Sequence, residues 1–306
     1  MAEWGEYDYR EEGWKKYLEG IIPLIILILI GIVIASKMGW ISGIPFLGNL
    51  FDQGPVRVAV LGDLRAENAN EPAKIDAPYL AAYFDADHRY EVTTWSDLEV
   101  LEFAGEDVLD DFDLVILAGE RQFSPRVKGE IGRYIRGGGK VILIGDAAIQ
   151  DSEYPEVIGW EVGDLAGAFP IRISPNVKRS DIENPERITS TPEKNLTFSF
   201  ITTDHDIVER AGVGYSVDLQ EIEDTREECI AGINSLPVTM GTGGGDIISV
   251  ISGISEETNQ TKTIIGIAER KGAFGRGHVM YFPYDPGCLP TIFDEAAGHM
   301  LGRTIQ

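Results

Sequence analysis

Positive charge is scarce in this chain. Its 306 residues carry 26 Lys and Arg against 50 Asp and Glu, a formal net charge of −24. Phosphate backbones are held by clustered cations, so this balance excludes a nucleic-acid partner and argues equally against docking on anionic lipid. It favours a strongly solvated acidic surface that repels copies of itself.

Cysteine and histidine are nearly absent as well. The two cysteines, Cys229 and Cys288, both fall late in the chain. They pair as one disulfide if the folded part lies outside the cytoplasm, or stay as two buried thiols if it does not. Neither has metal-ligand spacing, and the four histidines are scattered, so no zinc-binding pattern is legible. A Gly-x-Ser-x-Gly elbow is also missing, which removes the simple serine-hydrolase route. "GTGGGD", residues 241–246, lacks the Gly-Lys-Ser/Thr of a phosphate loop and leads into a strand-like segment, so it reads as a hairpin turn.

Long apolar runs are missing too, with one exception. "GIIPLIILILIGIVIAS", residues 20–36, holds no charge. Seventeen helical residues span roughly 25 Å, and Tyr17, Lys37 and Trp40 extend the segment through both interfaces of a hydrocarbon core of about 30 Å. Pro23 sits in the first turn, where its missing N–H does no harm. A cleaved signal peptide is the rival, but the preceding tail is polar and acidic and no small-x-small cleavage site follows. The expectation is a cytoplasmic tail (residues 1–19), a membrane span in contact with the lipid bilayer (20–40), a juxtamembrane linker (41–55) and a folded domain (56–306). Arg10, Lys15 and Lys16 precede the span and Lys37 alone follows it closely, which places the N-terminus in the cytoplasm and the folded domain outside. Two glycosylation sequons, at Asn195 and Asn259, accord with that orientation.

The folded domain opens with apolar strands alternating with helices: "VRVAVLGD", a helix over "APYLAAYFDAD", "YEVTTW", "DLVILAGE", a helix from Ser124 to the glycines at 137–139, then "KVILIGD". Strands of this wholly apolar kind predict a parallel sheet covered on both faces. Beyond Asp151 the strands turn two-faced ("FPIRIS", "LTFSFIT", "GYSVDLQEI", "DIISVISGI", "TKTIIGIAER"), which predicts antiparallel additions. "GRGHVMYFPYD" returns as a buried strand before a closing helix. The fold class expected is α/β: a mostly parallel, flavodoxin-like sheet with helices on both faces and β-rich antiparallel additions in the second half.

Asp63, Glu120 and Asp146 each end a parallel strand, so the fold gathers three carboxylates on one edge, with His205 or Asp285 placed to complete a ligand or metal rim. Such a rim suits a divalent cation or a sugar. The competing reading is that each acid caps a helix or ties a turn.

These segments, together with "TTDHDIVERAG" and "GRGHVMYFPYDPG", stand in the order seen in class I glutamine amidotransferase-like domains. They resemble the ThuA-like and gliding-motility-related branch. Asp204-His205-Asp206-Ile207 stands where that branch often has an Asp-His-Pro-Ile turn, and Gly275–Tyr281 matches its late glycine-rich strand. The resemblance implies a catalytic cysteine on the turn after Ile144 and a late His-x-Glu pair. This chain has Gly145-Asp146-Ala147-Ala148 there, and neither His278 nor His299 is followed by x-Glu. Without a thiolate no acyl-enzyme forms.

Two classes of function follow. The first is a membrane-anchored, extracytoplasmic, non-catalytic amidotransferase-like domain that binds a protein partner or a glycan in a cell-envelope assembly. The alternative is a carbohydrate-active or metal-assisted enzyme working through the acidic rim. A solute-binding component of a transporter is a third reading, supported by little beyond the tether.

Overall fold

Apolar runs need no water, and they become the buried middle of a sheet. The computed structural model describes residues 21–28, 30–31, 54–64, 77–103, 105, 107–191, 196–201, 205–211, 216–218 and 232–305. It divides into two compact units, Met1–Asp52 and Gln53–Gln306. In the first unit, residues 21–28 and 30–31 are helical and exposed. Among the described residues no helix is long and apolar enough to cross a membrane. The rest of the expected 20–40 span lies outside them, as do Cys229 and Asn195.

The first half of the second unit supplies β1 (Val56–Gly62), β2 (Tyr90–Trp95), β3 (Leu114–Ala118), the short β4 (Gln122–Phe123), β5 (Lys140–Ile144) and the short β6 (Gln150–Asp151). The second half adds β7 (Ile171–Ile173), β8 (Glu186–Thr189), β9 (Thr197–Phe200), β10 (Ser216–Asp218), β11 (Ile233–Ser235), β12 (Val238–Met240), β13 (Asp246–Ser255), β14 (Thr261–Ala273) and β15 (Gly277–Phe282). Five strands run parallel in the order β15-β5-β3-β1-β2, and the remaining six strands of the main sheet join antiparallel beyond β15. Taken in chain order, the parallel five give the 2-1-3-4-5 arrangement of doubly wound sheets. The segment "GRGHVMYFPYD" thus forms the seam, parallel to β5 on one side and antiparallel to β14 on the other.

Helices cover both faces because each parallel connection must cross over the sheet. One face carries α1 (Pro78–Ala86) and, from the end of the chain, Ile292, Phe293, Ala296 and Ala297 of the closing helix. The other carries α2 (Asp97–Glu102) and the longer helix α3 (Pro125–Gly137) through Val100, Val127, Ile131 and Ile135. The sequence marks the ends of α3. The Ser124 hydroxyl accepts from the Val127 amide at 3.3 Å, Pro125 opens the first turn, and Gly138 takes φ 104° to stop it. Two short helices follow, α4 (Arg179–Glu183) and α5 (Asp206–Ala211), before the closing helix α6 (Pro290–Leu301).

One irregularity bears on the site. The β13–β14 pairing steps from Ile247↔Ala268 to Ser249↔Ile267 and then to Val250↔Ile265, so each strand carries one residue in excess. The extra residue on β14 is Gly266, where a Cβ would press on the Ser249 hydroxyl. Such bulges change which face the next side chains meet. Beyond this one, Ile267 and Glu269 share the face of α6, and Ala268 takes the other.

Candidate metal centre

Within the expected rim, Asp285 and Asp146 are taken up by the fold's own contacts. Asp285, after β15, accepts from the backbone amides of Tyr79 (2.7 Å), Leu80 (3.1 Å) and Gly287 (2.8 Å), tying α1 to the start of α6. Asp146, buried after β5, forms an ion pair with Arg121 at 2.7 Å. Burial and the neighbouring Asp146 charge both push the Tyr281 phenol above its usual range. Glu120, after β3, accepts from the Gln122 amide at 3.4 Å, and Asp63 stands exposed after β1. The four acids do end neighbouring parallel strands, but His205 is not among them.

His205 lies towards the opposite end of the sheet, with the residues that sequence reading left scattered. His278 is paired in register with Lys140, at the start of β5, whereas Phe282 is paired with Ile144 at its end. Glu269 of β14, 2% exposed, is the focus. Its Oε1 is 2.8 Å from His205 Nε2, and its Oε2 is 3.0 Å from His278 Nε2 and 3.2 Å from His299 Nε2. Each element contributes by position. His205 immediately precedes α5, His278 faces Lys271 across the β14–β15 pair, and His299 sits in the last turn of α6. The histidine rings are close: 4.7 Å between the centroids of His205 and His299, and 5.5 Å between His278 and His299.

Burial by itself would raise the Glu269 carboxyl, but the hydrogen bonds from the three imidazoles outweigh it and hold the group well below the usual carboxylate range. Burial pushes the His278 imidazolium down, with Glu269 partly offsetting it.

His299 states the chemistry most sharply. Its Nδ1 is 3.0 Å from Asp206 Oδ2, and its Nε2 faces Glu269. A neutral imidazole has one N–H, so with carboxylates at both nitrogens either the ring holds two protons or a cation stands between Nε2 and Glu269. A carboxylate on Nδ1 with a cation at Nε2 is the arrangement of carboxylate–histidine–metal triads. One ligand atom each from His205, Glu269 and His299 can be chosen with all three within 4.8 Å of one another. Two imidazoles and a carboxylate about 2 Å from a common centre are a Zn²⁺-type donor set. His278 is outside that trio and braces the Glu269 oxygen instead. Binding through His205 Nε2 would require its Nδ1 to give up the 3.3 Å contact with the Ile207 amide.

No family model and no curated protein matches the chain. Among solved structures it is similar to a cytoplasmic protein from Salmonella typhimurium, at 13% identity over 75% of this chain and 88% of that one, with a TM-score of 0.44. It is similar to a beta-galactosidase from Halorubrum lacusprofundi at 15% identity, covering 83% of this chain and 31% of that one, with a TM-score of 0.46. A protein described as ThuA-like, from Bacteroides uniformis, is matched at 9% identity over 80% of this chain and 93% of that one, with a TM-score of 0.42. Identities this low say nothing of ligand or activity.

Two further expectations touch the described residues. Cys288 is disulfide-bonded. Asn259 is exposed in the turn between β13 and β14.

Proposed function

We propose that the chain is a membrane-tethered, outward-facing α/β domain whose histidine–glutamate centre holds a divalent transition metal. It serves a cell-envelope assembly by holding a protein partner or a glycan rather than by covalent attack. The observation that carries the metal is the convergence of His205, His278 and His299 on buried Glu269, with His299 set between two carboxylates. Imidazole and carboxylate donors in that number suit Zn²⁺ and its neighbours.

The tether rests on the uncharged run at 20–36 and the cations that precede it. The disulfide at Cys288 fits an oxidising compartment. Against covalent attack speaks the turn after β5, where Asp146 is taken up by Arg121 and Ala147 and Ala148 offer no nucleophile. This accords with the resemblance to amidotransferase-like domains that have lost their cysteine.

The same trio of ligands favours a second reading, metal-assisted hydrolysis, because three protein ligands leave a position for water.

Co²⁺ titrated into the full-length chain in mild detergent tests the centre. The expected result is a visible absorption that saturates at one ion per chain, is displaced by Zn²⁺, and is lost in Glu269→Gln while circular dichroism is retained. A wild-type chain that takes up no Co²⁺ overturns the metal. Copurification tests the holding role: a Co²⁺-loaded protein that migrates only as a free monomer counts against it.

A further inference from the structure

Lys271 is the unusual neighbour of the centre. It lies two residues beyond Glu269 on the same strand and face, opposite His278 in the β14–β15 pair. Its Nζ is 3.3 Å from Glu269 Oε1, and its side chain is 56% exposed. Among the described residues this is its one ion pair. Asp206, on the other flank, is 55% exposed, whereas His299 and Glu269 are 6% and 2% exposed. The cluster is therefore walled on the side of the sheet and α6, and reaches solvent beside Lys271.

A cation held by His205, Glu269 and His299 takes over the Glu269 charge on which Lys271 rests. An ammonium is then left beside a metal ion, an arrangement that costs free energy until an anion arrives. Resting on the metal reading above, we propose that the centre keeps one coordination position open on the solvent side. That position, next to Lys271, accepts an oxyanion of the phosphate or carboxylate class. In a chain of net charge −24 it is a local positive site, selective by charge for such groups.

The probes are inorganic phosphate and acetate, titrated separately into the Co²⁺-loaded full-length protein in detergent. The expected result is a saturable change in the Co²⁺ visible spectrum with at least one of them, the stronger responder naming the class. Lys271→Met should weaken anion binding by about tenfold and tighten Co²⁺, because one nearby positive charge is removed from both equilibria. Opposite signs in one variant separate this role from damage to the fold, which would weaken both. A spectrum indifferent to either anion, with Co²⁺ still bound, overturns the open position and leaves the metal reading standing. Anion binding unchanged in Lys271→Met overturns the assignment to Lys271. A wild-type chain without Co²⁺ overturns both readings together.

Discussion

The Nε2 of His299 stands 3.2 Å from the Oε2 of Glu269, thirty residues apart in sequence, with Asp206 on the far side of the ring at 3.0 Å. Asp206 touches only the nitrogen that a metal would not use, so its role is to fix the ring and its tautomer. Replacing it with Asn removes that charge while keeping the shape. Co²⁺ affinity should fall by about tenfold in Asp206→Asn, the lower end of what outer ligands contribute. The unfolding midpoint in chelator should stay close to wild type, since Asp206 is half exposed. Competition against a chelator dye reads the first quantity and urea titration the second. An unchanged affinity removes Asp206 from the support of the centre.

Asp146 behaves differently. It is 3% exposed and paired with Arg121, itself largely buried. Breaking one half of a buried pair leaves the other uncompensated, at a cost of about 3 kcal/mol. Asp146→Asn should therefore lower the urea midpoint markedly while the folded protein binds Co²⁺ as before, because the pair lies towards the other end of the parallel strands. Normal stability with lost metal binding would move the functional site back to the rim.

Low pH should loosen the junction of α1, β2 and α6. The Asp87 carboxyl is held down at about 2, principally by hydrogen bonding from Arg89, which also binds Asp294 at 2.7 Å. A carboxyl depressed in the folded state contributes stability that is present above its unfolded value near 4. That contribution fades as pH falls towards 2. The pair is partly open to solvent, so its contribution is set at about 1 kcal/mol rather than the full shift. Urea midpoints at pH 6 and pH 3 should fall further apart in wild type than in Asp87→Asn. Equal differences would mean that Asp87 is not the group responsible.

Much of the fold was legible because buried parallel strands announce themselves. Val58–Leu61, Leu114–Ala118 and Val141–Ile144 are apolar without interruption, and Ser124 and Gly138 mark both ends of α3. The rim was legible as a place but not as chemistry. Which acid would cap a turn and which would pair with Arg121 depends on contacts that chain order does not reveal. The histidine–glutamate cluster was missed for a physical reason. Its residues come from three separate stretches, with Glu269 aimed by a bulge at Gly266 that no alternation pattern announces. One signal was available. Glu269 follows directly on the apolar run 264–268 of β14, and a carboxylate buried at its end needs partners. The histidines are those partners.

The crevice where doubly wound sheets usually hold ligands lies between the ends of β1 and β3, and here the backbones run against each other. Gly119 takes φ 67°, and a Cβ on it would collide with the Asp63 carbonyl; a Cβ on Gly62, at φ 102°, would meet the carbonyl of Ala118. Neither contact can be relieved by rotating a flexible side chain, because both partners are main chain. Gly119→Ala should cost about 3 kcal/mol or more, combining strain at positive φ with the collision. Gly137, at the end of α3, is the matched control, because a Cβ there would meet nothing within 4 Å. Gly137→Ala should be neutral or gain about 0.5 kcal/mol from helix propensity. Urea titration of the two variants beside wild type checks both signs at once. A Gly119→Ala protein as stable as wild type would mean that this crevice is wide enough to open, and that a ligand site at the strand ends must be reconsidered.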